Sequence, residues 1–144
     1  CLAAAAAHLY AEAAGAIEHA HGAPFTRLGG GEWAAAVAAH ASLYCAFARL
    51  HAAAAHAARG EHGKRLGQLD RAQEEAAEAA RGVVRLPHSM AAHVLAAQGL
   101  VQEAHARARH ENETVYFDAV PPRDALPPCT ATCLVKPHLP PELM

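Results

Sequence analysis

From Glu32 to Arg59 the chain runs without a glycine or a proline, and its large side chains there recur at alternating steps of four and three. Trp33, Val37, His40, Tyr44, Phe47 and His51 therefore share one stripe of a single long helix. Gly60 suits the left-handed position that closes such a helix. Stripes of this kind are far more often core than binding groove, so the stripe is expected to face the interior. Alanine fills most of the intervening positions. It favours the helix but buries little area per side chain, so a hydrophobic fraction of 53% with only 5% aromatics overstates the core. The composition predicts helices that pack closely, with few large anchors between them.

Three further helices are predicted around this one. The first runs from about Leu2 to Ala20, with Leu9, Ala13 and Ile17 at helical spacing, and ends in a loop from His21 to Gly31. The third runs from about Gly63 to Arg81, with Leu66, Leu69, Ala76 and Ala80 toward the core and Arg71, Glu74, Glu75 and Glu78 toward water. The fourth opens after Pro87 with Ser89 as its cap and carries Met90, Val94, Leu100 and Val101. Short connections, Gly60 to Gly63 and Gly82 to His88, make successive helices antiparallel neighbours. The expected fold is all-α, built of antiparallel helix pairs; a TPR-like solenoid and a bundle are equally compatible with the pattern.

The composition changes at Val120. Pro121, Pro122, Pro127, Pro128, Pro137, Pro140 and Pro141 exclude a regular helix. Leu126, Cys133, Leu134, Val135 and Leu139 supply apolar side chains that a solvated linker would not need. The expectation is one domain, helical over 1–118, with an extended, proline-rich tail over 119–144 docked on the helices.

A net charge of −2, with Lys and Arg scattered singly, argues against nucleic acid or an anionic membrane as partner. The apolar stretch Trp33 to Phe47 is interrupted by His40 and followed by Arg49 and His51, short of the roughly 18–20 residues that a membrane span needs. No secretory signal is visible at the start. Cys1, Cys45, Cys129 and Cys133 do not read as a disulfide framework, which points to a reducing, cytoplasmic setting. A chain that starts at Cys1 reads as a piece of a longer protein. A helical face left without its packing partners would then make it marginally stable.

The candidate chemistry is thin. Twelve histidines invite a metal, but His51 and His56, His88 and His93, and His105 and His110 are each five apart, which turns their rings away from one another on a helix. Cys129 and Cys133 would supply half a zinc site and lack a second pair, so no metal and no cofactor are expected. No Gly-x-Ser-x-Gly turn and no Cys followed by a phosphate-cradling loop occurs, so no catalytic residue is assigned. Gly29, Gly30 and Gly31 lack a following Lys and read as a linker. Tyr116 is singled out. Its acidic neighbours Glu111, Glu113 and Asp118 fit a phosphorylation or docking site. An aromatic at a helix end, packed under the returning tail, is the favoured reading.

Glu111 to Pro121 reads Glu-Asn-Glu-Thr-Val-Tyr-Phe-Asp-Ala-Val-Pro, which resembles the Asn-Asp-Phe-Ile-Tyr-x-x-x-Val-Pro stretch that ends the helical part of Alix-type Bro-one domains. Leu134-Val135-Lys136-Pro137 resembles a second run of that family, and Asp124, Leu126 and Pro127 fit the interval between them. Ala57 to Gly82 is similar to the family's helix pair. The resemblance implies the C-terminal part of a boomerang-shaped, non-catalytic scaffold domain of ESCRT-dependent endosomal sorting and multivesicular body formation. Within the family, the sequence looks nearest to the His-domain member that carries a separate tyrosine phosphatase domain, with Alix next. The resemblance also implies that the intact domain binds the C-terminal helix of an ESCRT-III subunit, through a patch outside this chain, in an endosome-associated setting. An unrelated TPR-like adaptor that binds peptides is the alternative; its tail would be loose, whereas a Bro-one tail lies ordered along the helices.

Overall fold

The computed structural model describes residues 1–19 and 30–130. Within them four α-helices follow one another: α1 (Leu2–His19), α2 (Gly30–Ala58), α3 (His62–Arg81) and α4 (His88–Glu111). No strand occurs among the described residues. The fold is all-α, as the periodicity predicts. Two boundaries differ from expectation. Helix α2 begins at Gly30, so Gly30 and Gly31 are helical and not linker. Helix α4 begins at His88, which puts Ser89 inside the first turn with Pro87 in the cap position and no side-chain cap bond. Gly60, at φ 72°, closes α2 as its left-handed residue.

The helices stack in chain order: α1 packs chiefly on α2, α2 on α3, and α3 on α4, with only a narrow contact between α2 and α4. Three layers of small residues make the core. Leu43 of α2 meets Ala79 of α3 and Val94 and Ala97 of α4. Ala46 meets Ala72, Ala76 and Val101. Ala53 meets Leu66, Leu69 and Ala108. Residue numbers rise along α2 as they fall along α3, the antiparallel register that the three-residue connection Arg59–Glu61 imposes. Alanine at most crossing points lets the helices approach closely, and dense packing replaces bulk.

The aromatic stripe of α2 is not this core. The buried face of α2 is Ala36, Ala39, Leu43, Ala46, Ala53 and His56, while Trp33 is 65% exposed and His51 is exposed. His40 and Tyr44 are half-buried and face α1, while Phe47, also half-buried, packs at the edge of the Leu43 layer. Tyr10 stacks on His40 and on Tyr44, with ring centroids 5.2 and 5.4 Å apart, and Phe47 meets Tyr44 edge-on at 6.0 Å. Aromatic rings fill the α1–α2 seam, and mostly small residues meet between α2 and α3. On α1, Ala4 and Ala7 are buried whereas Leu2 and Leu9 lie 60% and 61% exposed.

Candidate functional site

The chemistry-bearing side chains gather where α4 ends and the chain returns across α3. After Glu111 the helix widens into a single π-type turn, Asn112–Tyr116, and stops at Phe117, whose φ of 54° and ψ of 28° lie in the left-handed region. That conformation costs a non-glycine residue about 1–2 kcal/mol. Asn112, buried, clamps the reversal from within: its Nδ2 donates to the Asp118 carbonyl at 3.0 Å, and its Oδ1 accepts from the Asp118 N–H at 3.2 Å.

The reversal aims Asp118 at the start of α3. Its carboxylate accepts from the N–H groups of His62 at 3.0 Å and Gly63 at 3.3 Å. It thus caps α3 from 55 residues away, satisfying two of the four donors that every helix leaves open at its N-terminus. Downstream, Arg123 pairs with Glu74 at 2.8 Å, Leu126 buries itself over Gly67, and Gln68 donates through Nε2 to the Pro127 carbonyl at 3.1 Å. The amino group of Cys1 donates to the Thr130 carbonyl at 2.7 Å. Of the expected docked tail, Ala119, Arg123, Leu126 and Pro127 touch α3, and Thr130 reaches the start of the chain. Cys133, Leu134, Val135 and Leu139 fall outside the described residues, as do residues 20–29 of the first loop.

Tyr116, the singled-out residue, stacks on the His62 ring, centroids 3.3 Å apart and planes 4° from parallel, and remains 43% exposed. It packs on the α2–α3 junction. Its neighbours Val115 and Phe117 are more exposed still, at 63% and 72%. Of the acidic flank, Glu111 pairs with Arg65 and Asp118 is the cap of α3, so Glu113 alone remains as flanking surface charge.

Beneath the tail lies a polar seam that hydropathy does not reveal. Gln68 is fully buried; Arg49 donates to its Oε1 at 3.1 Å and stands 3.6 Å from the Glu75 carboxylate. Arg71 and Glu75, expected to face water, are instead half-buried in this seam. Burial raises the Glu75 carboxyl above its ordinary range despite Arg49 and Arg71 beside it. Burial, helped by Glu75, likewise raises the Cys45 thiol, which makes it a poor nucleophile. The only sequence signal was a glutamine between Gly67 and Leu69, in a run otherwise facing the core.

The histidines are tied into the frame. His105, buried on α4, meets Asp70 of α3 at 2.6 Å. His56, buried at the end of α2, lies 2.7 Å from Glu61 and 2.9 Å from Arg59. Their sequence partners His110 and His51 are exposed. Among the described residues no three His, Cys, Asp or Glu side chains converge as a metal site requires. Lys64, then His56 and Arg59, hold the Glu61 carboxyl down from 4.5 to about 2. A depressed carboxyl stabilises the fold above its unfolded pKa, and that contribution is lost as pH falls through the folded one. Between pH 4.5 and about 2, wild type should therefore lose more melting temperature than Glu61→Gln. Parallel profiles over that window would show that the Glu61 bonds are too solvated to matter.

Stacked helices braced by ion pairs and crossed by an extended segment, with leucines exposed on their outer faces, form an all-α helical frame. A family model described as a BRO1-like domain matches residues 1–143, and the chain belongs to that family. No curated protein sequence matches it significantly. At the family level this domain is a protein-binding scaffold of ESCRT-related sorting and is generally non-catalytic. No helix among the described residues is long and apolar enough to cross a membrane.

Proposed function

We propose that the chain is the C-terminal part of one BRO1-like domain and acts as a non-catalytic scaffold in endosomal sorting and multivesicular body formation. In the intact domain an apolar patch outside this chain receives the C-terminal helix of an ESCRT-III subunit, by helix-in-groove recognition. The protein works in the cytoplasm at endosomal membranes. The observation that supports this reading is the first part of the tail: Asp118, Leu126 and Pro127 lie against α3, which fits a Bro-one tail better than the loose tail of a TPR-like adaptor. Titration calorimetry with a synthetic ESCRT-III C-terminal helix tests it. The intact domain is expected to bind and this chain alone to bind far more weakly. No binding to either would remove the ESCRT-III reading. Equal binding to both would move the patch onto this chain, where Leu2 and Leu9 stand exposed.

Tyr116 is proposed as a docking residue whose phosphorylation would add charge beside Glu113 and Asp118 and loosen the His62 stack. Its partial exposure supports this reading. Kinase treatment of wild type and Tyr116→Phe, followed by phosphosite mapping, checks it; an unmodified Tyr116 in the folded chain would leave only the structural role.

A further inference from the structure

The strap from Asp118 to Thr130 is held largely by features that would hold any extended chain. The Ala119 carbonyl oxygen sits 2.2 Å from where a Cβ on Gly63 would stand, so only glycine there admits the crossing backbone. The buried Gln68 amide, braced by Arg49, pairs with a main-chain carbonyl, that of Pro127. Both contacts read backbone and tolerate many side chains. Two side chains add selectivity: Asp118 on the start of α3, and Leu126, eight residues later, on the surface left bare by Gly67. The Arg123–Glu74 pair is exposed and adds little.

The buried residues of the three layers come from α2, α3 and α4, with none from the strap. The strap joins α4 through Phe117, whose left-handed backbone and exposed ring make a strained hinge.

We propose that the groove along α3 is a binding site for an extended segment of a partner protein, and that the chain's own strap is its resident competitor. The segment that fits carries an Asp and, eight residues on, a Leu-Pro pair. This rests on the scaffold reading but concerns a different surface from the ESCRT-III patch, so calorimetry with the ESCRT-III helix and the test below fail separately. A docked strap divides the apparent affinity by the fraction of chains with the groove open. Any event that lifts the strap therefore exposes the site.

The test uses the whole chain carrying Asp118→Ala and Leu126→Ala, with a fluorescein-labelled peptide of native residues 117–130 as probe. Fluorescence anisotropy is expected to show saturable one-to-one binding, at least roughly tenfold tighter than to wild type, and lost when Gly63→Leu is added. No binding to the folded double variant, or binding that survives Gly63→Leu, overturns the proposal. If that variant loses its helical circular dichroism, amide exchange on wild type decides. Asp118 and Gly63 must then exchange at least about tenfold faster than buried α3 amides, the mark of a strap that opens alone. Equal rates overturn the proposal. So does a strap-exchanged dimer in sedimentation, which would make a second copy the occupant.

Discussion

Replacing Gly63 with alanine is expected to destabilise the chain by about 2–4 kcal/mol, the reverse of what the same change does in an open helix. The added Cβ would meet the Ala119 carbonyl oxygen at 2.2 Å and its carbon at 2.9 Å. These are backbone atoms, and Asn112 and Asp118 fix them on either side of the reversal, so no side chain can rotate away. Relief requires lifting the strap. That removes the Asp118 cap, worth about 1 kcal/mol, and leaves the buried Gln68 amide without its carbonyl, at about 1–3 kcal/mol. Gly99→Ala is the control: nothing lies within 4 Å of its Cβ in α4, and the change should stabilise by about 0.5–1 kcal/mol. Gly67 lies between these cases, because its Cβ meets the tip of Leu126 at 3.0 Å, which can turn aside. Urea melts followed by circular dichroism rank the three. A Gly63→Ala chain as stable as wild type would show that the strap adds nothing to the fold.

Leu43→Ala should cost about 3–4 kcal/mol, near the upper part of the range for buried leucines. Leu43 is 1% exposed and is the largest buried side chain of its layer, where its buried neighbours are Ala79, Val94 and Ala97. Alanine neighbours have no side-chain reach with which to fill the space, so the cavity persists and its full cost is felt. Phe47→Ala should cost less despite the larger side chain, because Phe47 is already partly solvated at the rim of the same layer. If the two variants melted in the opposite order, the aromatic seam against α1 and not the alanine ladder would be the main source of stability.

By itself the sequence determined the helices and their order. Local propensity and a period near 3.6 are written in every turn, and Gly60 and Pro87 mark breaks that no tertiary context could override. It also made legible the loss of helix that begins near Val120, because proline chemistry is local, whereas the reversal at Asn112–Phe117 carries no proline and was not legible. Which face of each helix goes inside was decided only by tertiary structure. In an alanine-rich helix several faces are equally apolar, so hydropathy pointed to Trp33, Tyr44 and Phe47, whereas close approach of α2 and α3 selects the smallest residues. The same holds for Arg71 and Glu75, which polarity placed in water and which lie half-buried in the seam beside Arg49. The docking of Asp118 on the start of α3 joins residues 55 apart. Nothing in either local sequence specifies it; it exists because the α3–α4 pairing brings those two chain ends together.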